Sequence, residues 1–243
     1  MIDQNTNLLV VSAHAGDFVW RGGGTIAKYV KAGAKVSLVI LSYGARGESN
    51  DLWKIEGQTL DNVKSVRRSE IEAAIKCLGV KDYEIWDYQD YHMTITPERT
   101  LQLLKKIRKV QPQVILTHGP RDAFNPDHET VSRFVFEASV LATSAGVRDV
   151  ELPKIKQPKI FGFEPHQSEI SDFKPEVIVD ITDTYEQKYE AMNCFKAQKH
   201  LIEYYAAKAA LRGNHARRCS GNQQYKYAEA FSRFFPLVGG ELI

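Results

Sequence analysis

The chain carries, at residues 8–17, the sequence Leu8-Leu9-Val10-Val11-Ser12-Ala13-His14-Ala15-Gly16-Asp17. Its apolar first part is typical of a buried β-strand. A histidine and an aspartate follow three residues apart, where the strand gives way to a loop. In an open parallel sheet the carboxyl ends of the strands collect at one edge, where ligands bind. The stretch therefore predicts both a fold class and the edge of the sheet that carries function.

Short apolar runs alternate with amphipathic stretches along the rest of the chain, which is typical of βαβ units. Predicted strands span residues 8–11, 36–41, 83–86, 114–116, 160–163 and 177–181, and predicted helices span 24–31, 63–78, 99–110, 129–141 and 185–199. We predict a single α/β domain over residues 1–243, Rossmann-like, with a mostly parallel sheet and helices on both faces. Residues 42–61 and 212–227 are predicted loops, and long loops on such scaffolds often hold substrate.

Composition excludes several classes of protein. Of the 243 residues 43% are hydrophobic, and Lys plus Arg number 32 against 30 for Asp plus Glu. A formal charge of +2, with scattered basic residues, argues against a nucleic-acid partner. No apolar run reaches the roughly 20 residues that span a bilayer, and no signal sequence opens the chain, so we expect a cytoplasmic protein without a membrane partner. Cys77, Cys194 and Cys219 form no CxxC pair and suggest neither disulfides nor a thiolate metal site.

A second polar motif, Asn125-Pro126-Asp127-His128, follows the predicted strand at 114–116. If both motifs lie at the same edge of the sheet, His14, Asp17 and His128 can meet. Two imidazoles and one carboxylate with an open fourth position are the ligands of a catalytic zinc site. Helix and backbone capping is the competing role for His14, Asp17 and Asp127. In the metal interpretation, Asp127 accepts the proton of the second ring nitrogen of His128 or orients a neighbouring group.

Together these motifs resemble the LmbE-like, or PIG-L, zinc-dependent deacetylases, which act on N-acetylated sugars and related amides. The resemblance rests on the His14 and Asp17 motif, on residues 41–48, on Arg67-Arg68-Ser69-Glu70, on Pro126-Asp127-His128 and on residues 227–231. It implies an LmbE-like fold and one Zn²⁺ per chain, held by His14, Asp17 and His128.

Two positions depart from the pattern of these deacetylases. Gly16 replaces the aspartate that acts as general base, and Asn125 replaces a histidine that helps to stabilise the oxyanion. An amide still donates a hydrogen bond but does not exchange protons near neutral pH. Loss of a positioned acid–base group costs on the order of 10²- to 10⁴-fold in rate. Amide hydrolysis by the usual route is therefore disfavoured.

Residues 13–21 and 42–49 resemble one divergent branch of the family, the 4-oxalomesaconate hydratases of gallate and protocatechuate breakdown. This resemblance implies a zinc-dependent hydro-lyase that adds water to a carbon–carbon double bond of an unsaturated tricarboxylic acid, giving 4-carboxy-4-hydroxy-2-oxoadipate. Zinc would stabilise charge on the substrate as the water adds.

Two residues are candidates for proton transfer. Glu48 follows the second strand and is the candidate base, and a solvated carboxylate paired with Arg46 is its alternative role. His166, just past the fifth strand, is the candidate acid or base because histidine titrates near neutrality. A loop histidine bonded to the backbone is the alternative for His166.

A polycarboxylate substrate needs fixed donors, and guanidinium groups bind carboxylates well. Arg46, beside Glu48, is the best placed by sequence, and Arg21, Arg121 and Asn125 are the other candidates. Surface ion pairs are the alternative for Arg21 and Arg121. Trp20, Tyr43 and Trp53 are candidates for the walls of the site, and Arg67 and Arg68 are expected on a solvated helix face.

Three function classes remain open from sequence: a hydratase, a zinc-dependent deacetylase with a substitute base, and an inactive scaffold that binds a small anion. The expected partner is a small-molecule polycarboxylate. Association into a homo-oligomer stays open, since residues 212–227 are long enough to reach a neighbouring copy. Fe(II), Mn(II) and Co(II) also suit the predicted ligands.

Overall fold

A computed structural model describes residues 2–239, and Met1 and residues 240–243 of the predicted domain lie outside the described part. One seven-stranded sheet has the order β3-β2-β1-β4-β5-β7-β6. Its strands are Asn7–Ser12 (β1), Lys35–Ile40 (β2), Asp82–Ile85 (β3), Val114–His118 (β4), Lys159–Phe163 (β5), Val177–Asp180 (β6) and Ala228–Arg233 (β7). The pairs among β1 to β5 are parallel, and β7 runs antiparallel to both β5 and β6. The predicted α/β class with a mostly parallel sheet is confirmed.

Seven α-helices accompany the sheet in the described residues. They are Asp17–Lys31 (α1), Asn50–Trp53 (α2), Leu60–Leu78 (α3), Pro97–Val110 (α4), Pro126–Thr143 (α5), Tyr185–Met192 (α6) and Leu201–Ser220 (α7). Thr59 and Thr96 cap α3 and α4 by accepting a backbone N–H, and Gly79 ends α3 with φ 74°. No helix in residues 2–239 combines the length and the apolar character that crossing a membrane requires.

The two faces of the sheet bury separate apolar clusters. Leu8 and Val10 of β1 pack on the side of α1, α3 and α6, and Leu9 and Val11 pack on the side of α4 and α5. Because successive side chains of a strand point to opposite faces, a continuous apolar run serves both layers. The strand end that carries His14 is thus anchored from both sides.

The predicted start of the first helix is wrong. The helix was predicted to begin at residue 24, but it begins at Asp17 and runs through Gly22, Gly23 and Gly24. These glycines allow close packing, since a Cβ at Gly24 would lie 2.5 Å from Ile181 Cδ1 and one at Gly22 2.9 Å from Phe163. Tertiary packing outweighs the low helix propensity of glycine here.

Two further elements differ from prediction. Residues 212–220 belong to α7, and the predicted loop 212–227 is therefore a loop only in its second part. A Cβ at Gly213 would lie 2.0 Å from the carbonyl oxygen of Lys226, so this glycine permits a close approach rather than ending the helix. The helix predicted at 185–199 ends at Met192, and a short 3-10 turn follows at Lys196–Gln198.

Candidate metal centre and active-site pocket

His14, Asp17 and His128 meet at the carboxyl edge of the sheet, as the strand-end argument predicts. His14 follows β1, Asp17 opens α1, and His128 lies in the first turn of α5, and all three are buried. His14 Nδ1 lies 3.2 Å from His128 Nε2 and 3.3 Å from Asp17 Oδ2, and His128 Nε2 lies 3.3 Å from that same oxygen. A backbone hydrogen bond of 2.9 Å from His14 N to Asp17 Oδ2 fixes the turn between them.

Glu48 joins this cluster. Its Oε1 lies 3.2 Å from His14 Nδ1, and one donor atom from each of the four residues falls within 4.8 Å of the others. Glu48 comes from the loop after β2, and its Oε2 is buried without a hydrogen-bond partner in residues 2–239. The alternative role for Glu48, a solvated carboxylate paired with Arg46, is not what the structure contains: Arg46 is exposed, and its backbone N–H donates to Asp90 Oδ2.

Carboxylates hold the outer nitrogens of both imidazoles. Asp127 Oδ2 lies 3.0 Å from His14 Nε2, and Asp122 Oδ2 lies 2.8 Å from His128 Nδ1. When the rings are neutral, these partners place each ring proton on the outer nitrogen, so the inner nitrogens face each other with lone pairs. Asp127 therefore orients the neighbouring His14, which is the second of the two roles considered for it, and the outer nitrogen of His128 is bound by Asp122 instead. Asp122, six positions before His128, was not identified from the sequence.

The charge around the cluster favours a cation. Burial lowers the pKa of His14, but Glu48, Asp127 and Asp17 together raise it well above its ordinary value. Burial raises the pKa of Asp17, but His128 and His118 hold it well below its ordinary value. Two facing lone pairs and two carboxylates at this spacing are mutually repulsive unless positive charge lies between them. The donor set of two imidazoles and carboxylates therefore fits a divalent metal ion such as zinc.

His118, at the end of β4, supports this arrangement from behind. Its Nε2 accepts the backbone N–H of Ala13 over 3.0 Å, and its ring stacks on His128 with centroids 3.9 Å apart. Because that nitrogen is already used as an acceptor, His118 packs against the donor cluster without joining it.

A cavity of about 570 Å³ opens beside the cluster. Its walls combine residues from several loops and from α1 and α7, among them Asp17, Trp20, Arg21, Glu48, Tyr91, Asp122, Asn125, His166 and Tyr205. The cavity therefore brings together Glu48 and His166, the two residues predicted for proton transfer. Arg21 and Asn125, two of the predicted substrate-binding residues, line it as well. Of the three aromatic residues predicted as walls, only Trp20 lines it.

His166 reaches the cavity from the loop after β5. Its ring stacks on Tyr204 with centroids 4.3 Å apart, and Lys208 Nζ donates to its carbonyl oxygen over 3.0 Å. No hydrogen bond joins its ring nitrogens to residues 2–239, so the backbone-bonded alternative is not what the structure contains. Burial, together with nearby Arg21 and Lys208, lowers the pKa of His166 below 6.5. The lowered pKa favours the neutral imidazole, which carries a lone pair on one ring nitrogen.

The predicted arginines divide into two groups. Arg21 is buried, lies 3.1 Å from Asp122 Oδ2 and 3.4 Å from Asp17 Oδ1, and lines the cavity. Arg121 is exposed and paired with Asp172, which is the surface alternative. Neither Arg46 nor Arg121 is among the residues that line the cavity.

The expectation of a solvated face for Arg67 is wrong. Arg67 is fully buried and donates to Glu70 over 2.6 Å, to Gln198 over 2.7 Å and to the carbonyl of Tyr43 over 3.2 Å. These bonds tie α3 to the loop that carries Glu48 and to the 3-10 turn at the cavity wall. Arg67 therefore holds together two segments that border the site.

Comparison with known proteins assigns the family. The profile described as PIG-L, GlcNAc-PI de-N-acetylase, matches residues 9–139. The chain belongs to the PIG-L family. Within this family it is 39% identical to 4-oxalmesaconate hydratase from Pseudomonas putida KT2440, over 95% of this chain and 90% of that protein. It is 32% identical to 1D-myo-inositol 2-acetamido-2-deoxy-alpha-D-glucopyranoside deacetylase 2 from Catenulispora acidiphila, over 59% of this chain and 54% of that protein.

Solved structures give the same family relationship. The crystal structure of GalB, the 4-carboxy-2-hydroxymuconate hydratase from Pseudomonas putida KT2440, matches with a TM-score of 0.93 and 37% identity, covering 98% of this chain and 100% of that one. The N,N'-diacetylchitobiose deacetylase of Pyrococcus horikoshii matches with a TM-score of 0.78 at 24% identity, covering 93% of this chain and 83% of that one. At that identity the second match establishes a shared fold only. The predicted PIG-L resemblance is confirmed.

Proposed function

We propose that this PIG-L protein is a zinc-dependent hydratase that adds water to a carbon–carbon double bond of an unsaturated oxo-tricarboxylic acid. The substrate we propose is 4-oxalomesaconate, and the product is 4-carboxy-4-hydroxy-2-oxoadipate. The observation that carries this proposal is the similarity to a hydratase over nearly the full length of the chain. It is supported by Gly16, which stands where the deacetylases have the aspartate that acts as general base.

His14, Asp17 and His128 would hold the ion. When bound there, zinc supplies an electrophile that stabilises negative charge on a substrate oxygen. Asp122 and Asp127 keep both imidazoles in the tautomer that this role needs, because each accepts the proton of an outer nitrogen.

Glu48 and His166 exchange the protons of the reaction. Glu48 accepts a proton from the attacking water, whose oxygen bonds to one carbon of the double bond. The proton reaches the other carbon through His166, which begins neutral because its pKa is lowered. Water is thereby added as hydroxide and proton, and both side chains return to their starting states.

The deacetylase is the second candidate function, and it is favoured only by the shared metal donors and the more distant deacetylase relatives. With glycine at position 16, Glu48 is the carboxylate that remains beside the donor cluster to activate water. A protein with this second function would release acetate from an N-acetylated amino sugar.

One experiment separates the two candidates. Zinc-loaded protein is incubated with 4-oxalomesaconate and, separately, with N-acetylglucosamine, and products are followed by proton NMR. We expect the diene signals of the first substrate to be replaced by those of the hydrated acid, with no acetate from the second. Acetate release without hydration would overturn the proposal. Glu48→Gln protein serves as the matched control for background hydration.

A further inference from the structure

The charged groups of the cavity leave few cations for an anionic substrate. Its charged walls comprise the cations Arg21 and Lys54 and the carboxylates Asp17, Glu48, Asp51 and Asp122. Arg21 is held by Asp17, by Asp122 and by the carbonyl of Glu164, and exposed Lys54 is paired with Asp51 over 2.6 Å. The Nε of Arg21 makes no hydrogen bond within residues 2–239, but two carboxylates already offset the charge of this side chain, so substrate carboxylates also need neutral donors.

Trp20 provides such a donor. Its side chain is buried, with only 2% of the residue exposed, and it lines the cavity. The indole Nε1 is buried and has no hydrogen-bond partner in residues 2–239. Buried N–H groups are nearly always paired, and an unpaired one is costly. An acceptor that arrives with a ligand would satisfy it.

The position of this N–H is fixed by the residues around it. A Cβ at Gly16 would lie 2.3 Å from Trp20 Nε1, so any other residue at position 16 would displace the indole. The indole ring stacks on Tyr205 with centroids 5.6 Å apart and packs against Phe195 at 5.5 Å. Glycine at position 16 thus both removes a carboxylate and makes room for a hydrogen-bond donor.

Tyr205 adds a second donor to the same wall. It comes from α7, is 3% exposed, and lines the cavity with Trp20. Burial raises the pKa of its phenol, so the hydroxyl stays protonated. No hydrogen bond links that hydroxyl to another residue between 2 and 239.

We propose that the indole N–H of Trp20 and the hydroxyl of Tyr205 form a subsite that binds one carboxylate group of the substrate. Both groups donate hydrogen bonds, and an ionised carboxylate oxygen is the acceptor that gains most from such donors. The assignment of a polycarboxylate rests on the proposed function, whereas the donor pair itself rests on the geometry. Trp20 then determines specificity by binding and does not exchange protons.

The test is calorimetric binding of tricarballylate, a saturated tricarboxylate that cannot be hydrated, to zinc-loaded protein. Trp20→Phe keeps an aromatic ring and removes the N–H, and we expect the Kd to rise about 10- to 100-fold. Trp86→Phe is the matched control, because its Nε1 donates to Glu84 Oε2 over 2.9 Å outside the cavity. Tyr205→Phe is the second variant, with an expected rise in Kd of about 5- to 10-fold.

Thermal unfolding separates binding from structural support. Because phenylalanine is smaller than tryptophan, Trp20→Phe leaves a space in the packing against Tyr205 and Phe195, and the Tm of the ligand-free variant should fall. The shift in Tm on adding tricarballylate should also shrink, and this second change reports on the lost N–H. An unchanged Kd in both variants would overturn the subsite. So would a normal ligand-induced shift in Trp20→Phe, because the N–H would then contribute nothing to binding.

The subsite and the proposed reaction fail in different ways. If the wild type binds tricarballylate through Trp20 but does not hydrate 4-oxalomesaconate, the subsite stands and the hydratase proposal falls. If the wild type hydrates 4-oxalomesaconate and Trp20→Phe has an unchanged KM and an unchanged Kd for tricarballylate, the hydratase stands and the subsite falls.

Discussion

Asp127 binds the imidazole of His14 through a 3.0 Å contact between Oδ2 and Nε2. The same carboxylate accepts the backbone N–H groups of Tyr91 and Met93 over 2.7 and 3.0 Å. Burial would raise its pKa, but these bonds, led by that of His14, lower the pKa of Asp127 to about 2. Asp127 therefore connects a candidate metal ligand to the loop that places Tyr91 at the cavity.

Backbone strain at that loop is consistent with such a constraint. Tyr91 and His92 have φ values of 56° and 73°, which are unusual for residues other than glycine. Strained backbone of this kind persists where surrounding contacts determine it, and it is frequent at functional sites. The hydrogen bonds that Asp127 accepts from the backbone of Tyr91 and Met93 supply those contacts.

Asp127→Asn should weaken metal binding. An amide cannot accept the imidazole proton as strongly as a carboxylate, and loss of such a partner typically lowers metal affinity by about 10- to 100-fold. Zinc affinity is measured by competition with a chromophoric chelator. Asp172→Asn is the control, since Asp172 forms an exposed ion pair with Arg121. Equal zinc affinities for wild type and Asp127→Asn would contradict the orienting role.

Glu48→Gln should abolish turnover without removing the metal. Losing a positioned base costs on the order of 10²- to 10⁴-fold in kcat. His14, Asp17 and His128 are retained in the variant, so zinc content should stay at one per chain. The measurement is the initial rate of hydration together with zinc by atomic emission. A variant that loses zinc and activity in parallel would make Glu48 a metal ligand instead of the base.

The rate should fall at acidic pH because of His166. The neutral imidazole is the active form, and its pKa is lowered below 6.5. The value of kcat/KM should therefore be level at neutral and alkaline pH and decrease as the pH falls through the lowered pKa, where His166 becomes protonated. In His166→Asn this acidic limb should be absent and the plateau about 10²-fold lower or more. His92→Asn, an exposed position, is the control. Persistence of the same limb in His166→Asn would assign it to another group.

Lys188→Met should destabilise the fold strongly. Lys188 Nζ lies 2.7 Å from Glu229 Oε1, and Glu229 also accepts the backbone N–H groups of Gly24 and Thr25. Removing one member of a buried ion pair leaves the other uncompensated and typically costs about 3–5 kcal/mol. Urea unfolding measures the loss in free energy, and the double variant Lys188→Met with Glu229→Gln should recover part of it. If Lys188→Met were as stable as the wild type, the ion pair between Lys188 and Glu229 would not contribute to the stability of the fold.

That the candidate metal donors lie together could be predicted because their positions depend on strand ends. His14 and His128 each follow an apolar strand by a short loop, and parallel strands bring such positions to one edge of the sheet. Glu48 was predicted for the same reason, and the structure places its carboxylate beside His14. These inferences need only the order of the strands.

The partners of those donors could not be predicted, because they depend on how loops turn. Arg46 adjoins Glu48 in sequence, but Asp90 binds its backbone N–H and the side chain is left outside the cavity wall. Asp122 contacts His128 from the loop between β4 and α5, and the conformation of that loop cannot be predicted from the spacing of apolar residues. Arg67 sits among polar neighbours in sequence, and its burial follows from partners far along the chain.

The elements missed near the carboxyl end have local causes. Strand β7 reads Ala-Glu-Ala-Phe-Ser-Arg, which has weak β propensity, and the partners of its buried Glu229, which are Lys188 and the backbone N–H groups of Gly24 and Thr25, lie far away in sequence. Helix α7 was not predicted, and the loop predicted at 212–227 overlaps its last turns. Tyr205 was consequently not considered for the site, although it lines the cavity.

Zinc titration of metal-free protein, with the initial rate of 4-oxalomesaconate hydration read at each addition, measures whether the reaction depends on one metal ion per chain. We expect no measurable hydration without metal, a linear rise to one zinc per chain, and a plateau beyond. Hydration that is undiminished in the metal-free protein, or that never appears at one zinc per chain, would contradict that expectation.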